Sequence, residues 1–426
     1  MNNKHAFFLM YDGLTDPLAR SQVIPYLIGL TKQGYRFTIH SCDKPDRMER
    51  FEARIREVLA PWPINWVSVP YTKSPPILST AKDLKNLKKA AFKTAKKDPP
   101  FAVHCRSYLA GMVGNAIKKE FGAKLLFDIR GFWIDENIEG GNWNMSSLPF
   151  KTAVKYLRKQ EKNLFRQADH VVSLTENGKE TIQSWDWLQG QVPEISVIPT
   201  CVDLAHFDPS KLSDSAKEKT RAAFNLHVDA KVICYLGSIG TWYLLDEMLD
   251  CYIEYRKQLN DPKFLFITPD DPSHIIKQAA AKGIPQDELR ITEATREQVP
   301  EFLAVADYSI FFIMPVYSKR ASSPTKMGEI MSMGIPLICN AGVGDVDHIM
   351  EKTGCGALVQ SMTSRGYQDA IKQLISGNFA ASDLRNEAKK WYSLESGINN
   401  YHRIYKMLEG HSDSDALMEL KQESSS

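Results

Sequence analysis

Three things are scarce in this 426-residue chain. No apolar run approaches the ~20 residues that span a bilayer, so no stretch reads as a transmembrane helix. No two of the 7 cysteines stand as Cys-x-x-Cys, which removes the usual zinc and dithiol spacings. Cys234 and Cys339 lie inside apolar runs, and the set reads as buried, reduced thiols of a cytoplasmic protein rather than as disulfides. Net charge is nearly absent too: 53 Lys and Arg against 51 Asp and Glu leave a formal +2. The field of the whole molecule therefore argues neither for nor against a polyanionic partner, and no nucleic acid is expected. Residues 1–5 are polar and run into a short apolar stretch, without the charged leader, long apolar region and cleavage site of a signal peptide. What remains is ordinary globular composition, 43% hydrophobic and 24% charged, at a length comfortable for two domains.

Short apolar runs alternate with longer amphipathic stretches, the pattern of parallel βαβ units. Residues 6–11, 37–41, 101–104, 124–128, 169–174 and 195–199 read as strands. A helix is expected over 21–33, with Val23, Leu27 and Leu30 on one face. A second series opens at 232–237 and continues with strands at 264–268, 307–313 and 335–339 and a helix over 244–259. The expected fold is α/β with two doubly wound, Rossmann-like domains, 1–200 and 201–390. A C-terminal helix over 391–410 is expected to cross back to the first domain, followed by a disordered polar tail, 411–426. Two such sheets facing each other across a hinge would make a cleft that closes on two substrates.

The most informative stretch runs from Tyr317 to Cys339. Ser323 suits an N-cap and Pro324 the first helical position, with Gly334 as the stop. Free N–H groups and the positive dipole end at such a helix start form an anion site. Lys326 sits in its first turn, and Lys319 and Arg320 add charge from the preceding loop. Glu329, three residues on, shares a face with Lys326. From there a carboxylate can accept bonds from two adjacent hydroxyls. On residues alone, a surface helix with a Lys–Glu pair worth ~0.3–0.5 kcal/mol fits as well.

Other candidates cluster after strand ends. Asp128, Arg130, Asp135 and Glu136 follow one strand, where a loop salt bridge is the competing reading. His104 and Arg106 follow another, and a lone histidine there is equally a satisfied core residue. Gly13 lets backbone approach a ligand. Thr292, Glu293 and Ala294 stand where a base could be read. Asp270-Asp271 and Asp345-Val-Asp347-His348 invite a metal reading, but Asp-rich turns are common and none is assigned. Residues 82–97 form the one strongly basic helix, with Leu84, Leu87 and Ala91 on its packed face. It is either a solvated helix or a docking surface for anionic lipid.

Ser323-Pro-Thr-Lys-Met-Gly-Glu-Ile-Met-Ser-Met-Gly-Ile-Pro-Leu-Ile338 resembles the nucleotide-sugar segment of family 4 glycosyltransferases, retaining enzymes of GT-B fold. Ser21-Gln-Val-Ile-Pro-Tyr-Leu27 with Gly34-Tyr35 is similar to their first loop and helix. Phe127-Asp-Ile-Arg-Gly-Phe-Trp-Ile-Asp-Glu136 is similar to their acceptor-side loop. Ala168-Asp-His-Val-Val-Ser-Leu-Thr175 and Val197-Ile-Pro-Thr-Cys-Val-Asp203, with Phe207 and Pro209, resemble the end of their first domain. Tyr235-Leu-Gly-Ser-Ile-Gly240 resembles their second phosphate loop. The resemblance extends over about residues 7–408.

It implies transfer of a sugar, with retention, from a nucleoside diphosphate to a glycan, lipid-linked or small acceptor, as in polysaccharide biosynthesis. No metal or cofactor beyond the nucleotide sugar is implied. Gly13, Gly237, Ser238, Ser322, Ser323, Thr325, Lys326 and Glu329 would bind the donor. Lys326 and Arg320 would hold the leaving diphosphate. Asp128 and Arg130 would act in catalysis, and His104, Arg106, Asp135 and Glu136 would line the acceptor side. The expected location is cytoplasmic, with peripheral membrane contact through 82–97. Three departures stand out. Ala321 occupies the place of the first Glu of a Glu-seven-Glu pattern. Ser238-Ile-Gly240 replaces the cations after the second Gly loop. Asp128-Ile-Arg130 stands where His-Asp or His-Glu is frequent. Competing readings are a nucleotide-sugar 2-epimerase or hydrolase of the same fold, and a non-catalytic protein that binds a nucleotide sugar or a partner.

Overall fold

The computed structural model describes residues 4–188 and 190–411; the expected disordered tail lies almost wholly outside them. Its backbone divides into two compact units, one of residues up to Pro199 plus the stretch from Leu394, the other Thr200–Ser393.

In the first unit the apolar runs become seven strands: β1 (His5–Met10), β2 (Arg36–Asp43), β3 (Ile64–Pro70), β4 (Ala102–Arg106), β5 (Lys124–Asp128), β6 (His170–Ser173) and β7 (Ile195–Val197). They pair in the order β3-β2-β1-β4-β5-β6-β7, all parallel. Every residue of β1 is buried, as a central strand covered on both faces requires. Strand order reverses between β1 and β4. The loops after Met10 and Arg106 therefore open at a switch point, where ligands of such sheets bind.

The helix expected over 21–33 is two helices, Pro17–Gln22 and Ile24–Lys32. They break at Val23 (φ −131, ψ −64). Pro25 explains the break: it has no N–H for the carbonyl of Ser21 and its ring crowds that turn. The C-terminal helix expected over 391–410 is likewise two, Ala381–Tyr392 and Leu394–Leu408, separated by the extended Ser393 (ψ 126). The second packs in the seven-stranded unit against Ile24–Lys32. Gly29 permits this approach, because the side chain of Ile398 fills the place a Cβ would take.

The second unit holds β8 (Lys231–Leu236), β9 (Pro262–Ile267), β10 (Leu289–Thr292), β11 (Tyr308–Phe311), β12 (Leu337–Asn340) and β13 (Gly356–Val359). Their order is β10-β9-β8-β11-β12-β13, again all parallel. The switch point falls between β8 and β11. All seven cysteines are reduced and buried. Among the described residues no helix is long and apolar enough to cross a membrane.

Candidate functional site

Two constellations form, one at each sheet's switch point. In the six-stranded unit, β8 ends in Leu236 and turns at Gly237, whose φ of 109° favours glycine. A Cβ there would also stand 3.2 Å from Lys326 Nζ. The turn is held by Asp270 from the end of β9, which accepts from Ser238 Oγ at 3.0 Å, from Thr268 Oγ1 at 3.2 Å and from the amide of Ile239. The chain beyond it is zipped to the end of β11: Met314 N–H donates to Trp242 C=O at 2.9 Å and Leu244 N–H to Phe312 C=O at 3.0 Å. Trp242 and Tyr243 are thereby fixed on rigid backbone.

The helix of the diagnostic segment spans Thr325–Ser332. The expected cap is corrected here. Pro324 stands at the N-cap with no side-chain hydrogen bond, and Ser323 bonds elsewhere. Its Oγ accepts from Thr200 N at 3.2 Å and its carbonyl from Thr200 Oγ1 at 2.9 Å. The first turn therefore carries no side-chain cap, which leaves the dipole end for an anion. Lys326 is 7% exposed. Its Nζ donates to Tyr235 Oη at 3.1 Å and lies 4.2 Å and 3.6 Å from the ring centres of Tyr235 and Tyr243. Tyr235 passes the polarity on, donating to Ser238 C=O at 2.6 Å. Burial pulls the Lys326 ammonium down to about 7, against the opposing pull of Glu329. The aromatic faces and one phenol oxygen are thin solvation for a cation, so an arriving diphosphate meets a site short of negative charge.

Glu329 lies one turn on and is largely buried; burial pushes its carboxyl up to about 7, opposed by Arg296 and Lys326. Arg296 Nη1 stands 3.6 Å from its Oε1. Ser322 and Thr325 are half-buried and Ala321 is fully buried. The two further cations diverge. Arg320 is exposed, with its guanidinium 5.7 Å from the Tyr317 ring, whereas Lys319 is buried, its Nζ 3.8 Å from the Trp242 ring. The structure thus brings Gly237, Lys326 and Glu329 together with three groups the sequence did not single out, Tyr235, Tyr243 and Arg296.

In the seven-stranded unit, Asp128 at the end of β5 is in register with Arg106 of β4 and lies diagonally from His104, and both His104 and Asp128 are buried. Asp128 Oδ2 is 3.7 Å from His104 Nε2 and 3.7 Å from Arg130 Nη1. It accepts from Tyr401 Oη at 3.1 Å. Burial alone would raise the Asp128 carboxyl, but Arg130, His104 and Arg106 outweigh it and hold it below the usual range. Burial lowers His104 and brings Arg106 down to about 10. Ser107 (φ 70) and Arg130 (φ 57), just past these strands, sit in the left-handed region. That strain is a mark of functional loops. Asp135 is used differently: it pairs with Arg158, whose Nη1 donates to it at 3.0 Å and also reaches Glu161 at 3.0 Å. Glu136, half-buried on the same helix Trp133–Glu139, stays near it. At the first loop Gly13 has no room for a Cβ, because Asp43 Oδ1 lies 2.7 Å from that place. Buried Asp43 organises this loop, accepting from Thr15 N at 3.1 Å and from Ser68 Oγ at 2.8 Å. Asp270 serves the Gly237 turn, and Asp347 accepts from Gly342 N at 3.0 Å. Asp270 and Asp347, one from each acidic stretch, thus hold backbone.

No protein of curated function matches the sequence. The chain is similar in structure to sucrose-phosphate synthase of Thermosynechococcus elongatus (TM-score 0.72, 14% identity, 96% of this chain and 100% of that one). It is also similar to a glycosyltransferase of Rickettsia africae (TM-score 0.70, 16% identity, 97% and 100%). A third similar structure is Anabaena HepE in complex with UDP-glucose (TM-score 0.66, 14% identity, 96% and 100%). These likenesses establish the fold as GT-B, two Rossmann-like sheets. The Glycosyltransferase Family 4 model matches residues 26–206 and the Glycosyl transferases group 1 model matches residues 216–391. The two matched stretches hold Lys326 with Glu329 and His104 with Asp128, and the chain belongs to the family 4-like glycosyltransferases of GT-B fold.

Proposed function

We propose that the protein transfers a sugar from a nucleoside diphosphate sugar to a hydroxyl acceptor with retention of configuration. The observation that carries this reading is Lys326, a buried ammonium boxed by Tyr235 and Tyr243 at an uncapped helix start beside Gly237, with Glu329 one turn away. In this scheme Glu329 accepts from the ribose hydroxyls and Lys326 holds the diphosphate. As the bond from the sugar's anomeric carbon to the phosphate oxygen breaks, negative charge grows on that oxygen, and Lys326 and the helix amides stabilise it. The acceptor oxygen attacks from the same face. Its proton passes to the departing phosphate oxygen, so no enzymic nucleophile is needed. Asp128, Arg130, His104 and Arg106 serve the acceptor half. The complex of HepE with UDP-glucose favours a uridine nucleotide as the first donor to try.

The test is a melting screen with common nucleotide sugars, followed by assay of nucleotide release. A donor at about 100 times its Kd adds about 2.7 kcal/mol of stability, an unmistakable shift. No stabilisation by any nucleoside diphosphate or its sugars would sink the reading.

A lipid-linked acceptor suits the helix Leu78–Ala95. Leu87, Ala91 and Ala95 are buried, and the buried Asp83 accepts from Thr72 N at 2.8 Å, which fixes the helix on its sheet. Lys82, Lys85, Lys89, Lys93 and Lys96 are all exposed on the outer side, and Leu78, 68% exposed, stands at the N-terminal end. We read this stripe as a contact for anionic headgroups. Co-sedimentation with phosphatidylserine vesicles is expected at low salt and is expected to fall steeply toward physiological ionic strength, where the Debye length is ~8 Å. Sedimentation indifferent to salt, or none, returns the helix to a solvated face.

A further inference from the structure

Tyr401 and Tyr405 lie four residues apart on the helix Leu394–Leu408 and so share one face. Both are buried. Tyr401 Oη donates to Asp128 Oδ2 at 3.1 Å, and Tyr405 Oη stands 3.1 Å from His104 Nδ1. The groups they hold face each other without bonding: His104 Nε2 and Asp128 Oδ2 are 3.7 Å apart, beyond hydrogen-bond length. His104 Nε2 and Asp128 Oδ1 are buried and have no hydrogen-bond partner. Folded proteins rarely leave two such atoms side by side without a use.

We propose that Tyr401 and Tyr405 are positioning residues of the transfer reaction. They hold Asp128 and His104 in the one arrangement that orients Arg130 at the carboxyl edge of the seven-stranded sheet. This rests on the acceptor-half reading above. Tyr405 O–H donates to Nδ1, which leaves the proton on Nε2, pointing at the carboxylate. Tyr401 donates to Oδ2, the carboxylate oxygen that faces His104 Nε2, and Arg130 is drawn to the same oxygen. The charged and titratable groups facing Asp128 are His104 and Arg106 from β4, Arg130 from its own loop, and Tyr401 and Tyr405 from the helix. Loss of a donor to the charged carboxylate makes it easier to protonate. Activity that needs the carboxylate is then lost at a higher pH as pH falls.

The test uses the full chain, with Tyr401→Phe and Tyr405→Phe, which remove only hydroxyls. In histidine-15N-labelled protein, the His104 signals are identified by their absence in His104→Gln. Wild-type His104 is expected neutral with its proton on Nε2, and its Nδ1 signal is expected to move in Tyr405→Phe. A Nδ1 signal unchanged in that variant overturns the proposal, and this arm requires no turnover. With UDP-glucose as donor, Tyr401→Phe is expected to lower the saturated rate of UDP release by about tenfold, the scale of a small misplacement. Its KM for UDP-glucose stays near wild type and the acid limb of the rate profile moves to higher pH. In an Asp128→Asn background the same change should cost nothing more. Additive losses, or an unmoved acid limb, would show a merely structural tyrosine. UDP binding, which reads the other unit, is expected unchanged; a chain that binds neither UDP nor UDP-glucose overturns the donor reading instead, and the His104 signals still decide this one.

Discussion

Lys326→Met is expected to lose most of its turnover in a protein that melts at a higher temperature than the wild type. The two effects share a cause. The ammonium sits among aromatic rings and is desolvated, so its folded value of about 7 lies far below 10.5. Below pH 7 both folded and unfolded chains carry the charge and the cost of burying it is complete. As pH rises from 7 toward 10.5 the folded form loses its proton first and the cost fades. Each pH unit of displacement is worth about 1.4 kcal/mol, which sets a ceiling of about 5 kcal/mol; even a third of that raises Tm by about 2 °C in a protein this large. Methionine keeps the stem and needs no solvation. The gain should be largest at or below neutral pH and small near pH 10. Turnover moves the other way. A group that meets charge growing on a leaving oxygen acts more strongly in the transition state than in the ground state. Its removal should cost about a hundred- to thousandfold in kcat, with a smaller change in donor KM. Initial rates against donor concentration and melting curves at pH 6, 8 and 10 check both halves. A well-folded Lys326→Met protein with near-normal kcat would pass the leaving-group role to another cation.

Glu329→Gln should show the opposite kinetic signature. A ribose contact is the same in ground and transition state, so its loss raises KM and leaves kcat nearly unchanged. Two hydrogen bonds to a charged acceptor are worth about 1.5–3 kcal/mol each, and with solvent compensation the expected loss in UDP affinity is about 10- to 100-fold. The bare nucleotide suffices as probe, because the contact belongs to the nucleotide and not to the sugar. The carboxyl is raised to about 7 by burial, so its ionised form burdens the fold above that pH and not below 4.5. The Gln variant should accordingly melt higher than wild type at pH 8 and alike at pH 4. Unaltered UDP affinity by calorimetry would remove Glu329 from the nucleotide site.

Both units were legible from apolar runs because parallel strands covered on two faces are apolar along their middles, as β1, β5 and β8 are. The strands that escaped notice are edge strands. β3 alternates buried and exposed residues between prolines, and β13 has only four residues beginning with glycine. In the stretch from Tyr317 to Cys339, helix, Lys326 and Glu329 could be located from local chemistry, since stop and first-turn charge lie within a few residues of each other. The aromatic box could not. Tyr235 and Tyr243 reach Lys326 across separations of 91 and 83 residues, and nothing in either tyrosine announces which side chain it will face. Ser323 was misread because a serine before proline satisfies the capping pattern whether or not a distant Thr200 claims its hydroxyl. The tyrosines at 401 and 405 carried a visible signal, two phenols at helical spacing in an amphipathic stretch, but their partners stand some 270 and 300 positions earlier.

The break at Ser393 has a consequence for the order in which the protein is made. The six-stranded unit is one unbroken stretch, while the seven-stranded unit needs residues up to Pro199 and then the helix from Leu394. During synthesis all seven strands of the first unit are available early, yet the place beside Gly29 stays unfilled and Asp128 lacks its phenol until Tyr401 has been added. At ~5–20 residues per second, the roughly two hundred intervening residues take about 10–40 s. The later-made unit has every one of its own parts before the earlier-made unit is complete, and a chain halted at Ser393 would possess the whole Lys326 box while lacking the helix that finishes the seven-stranded unit.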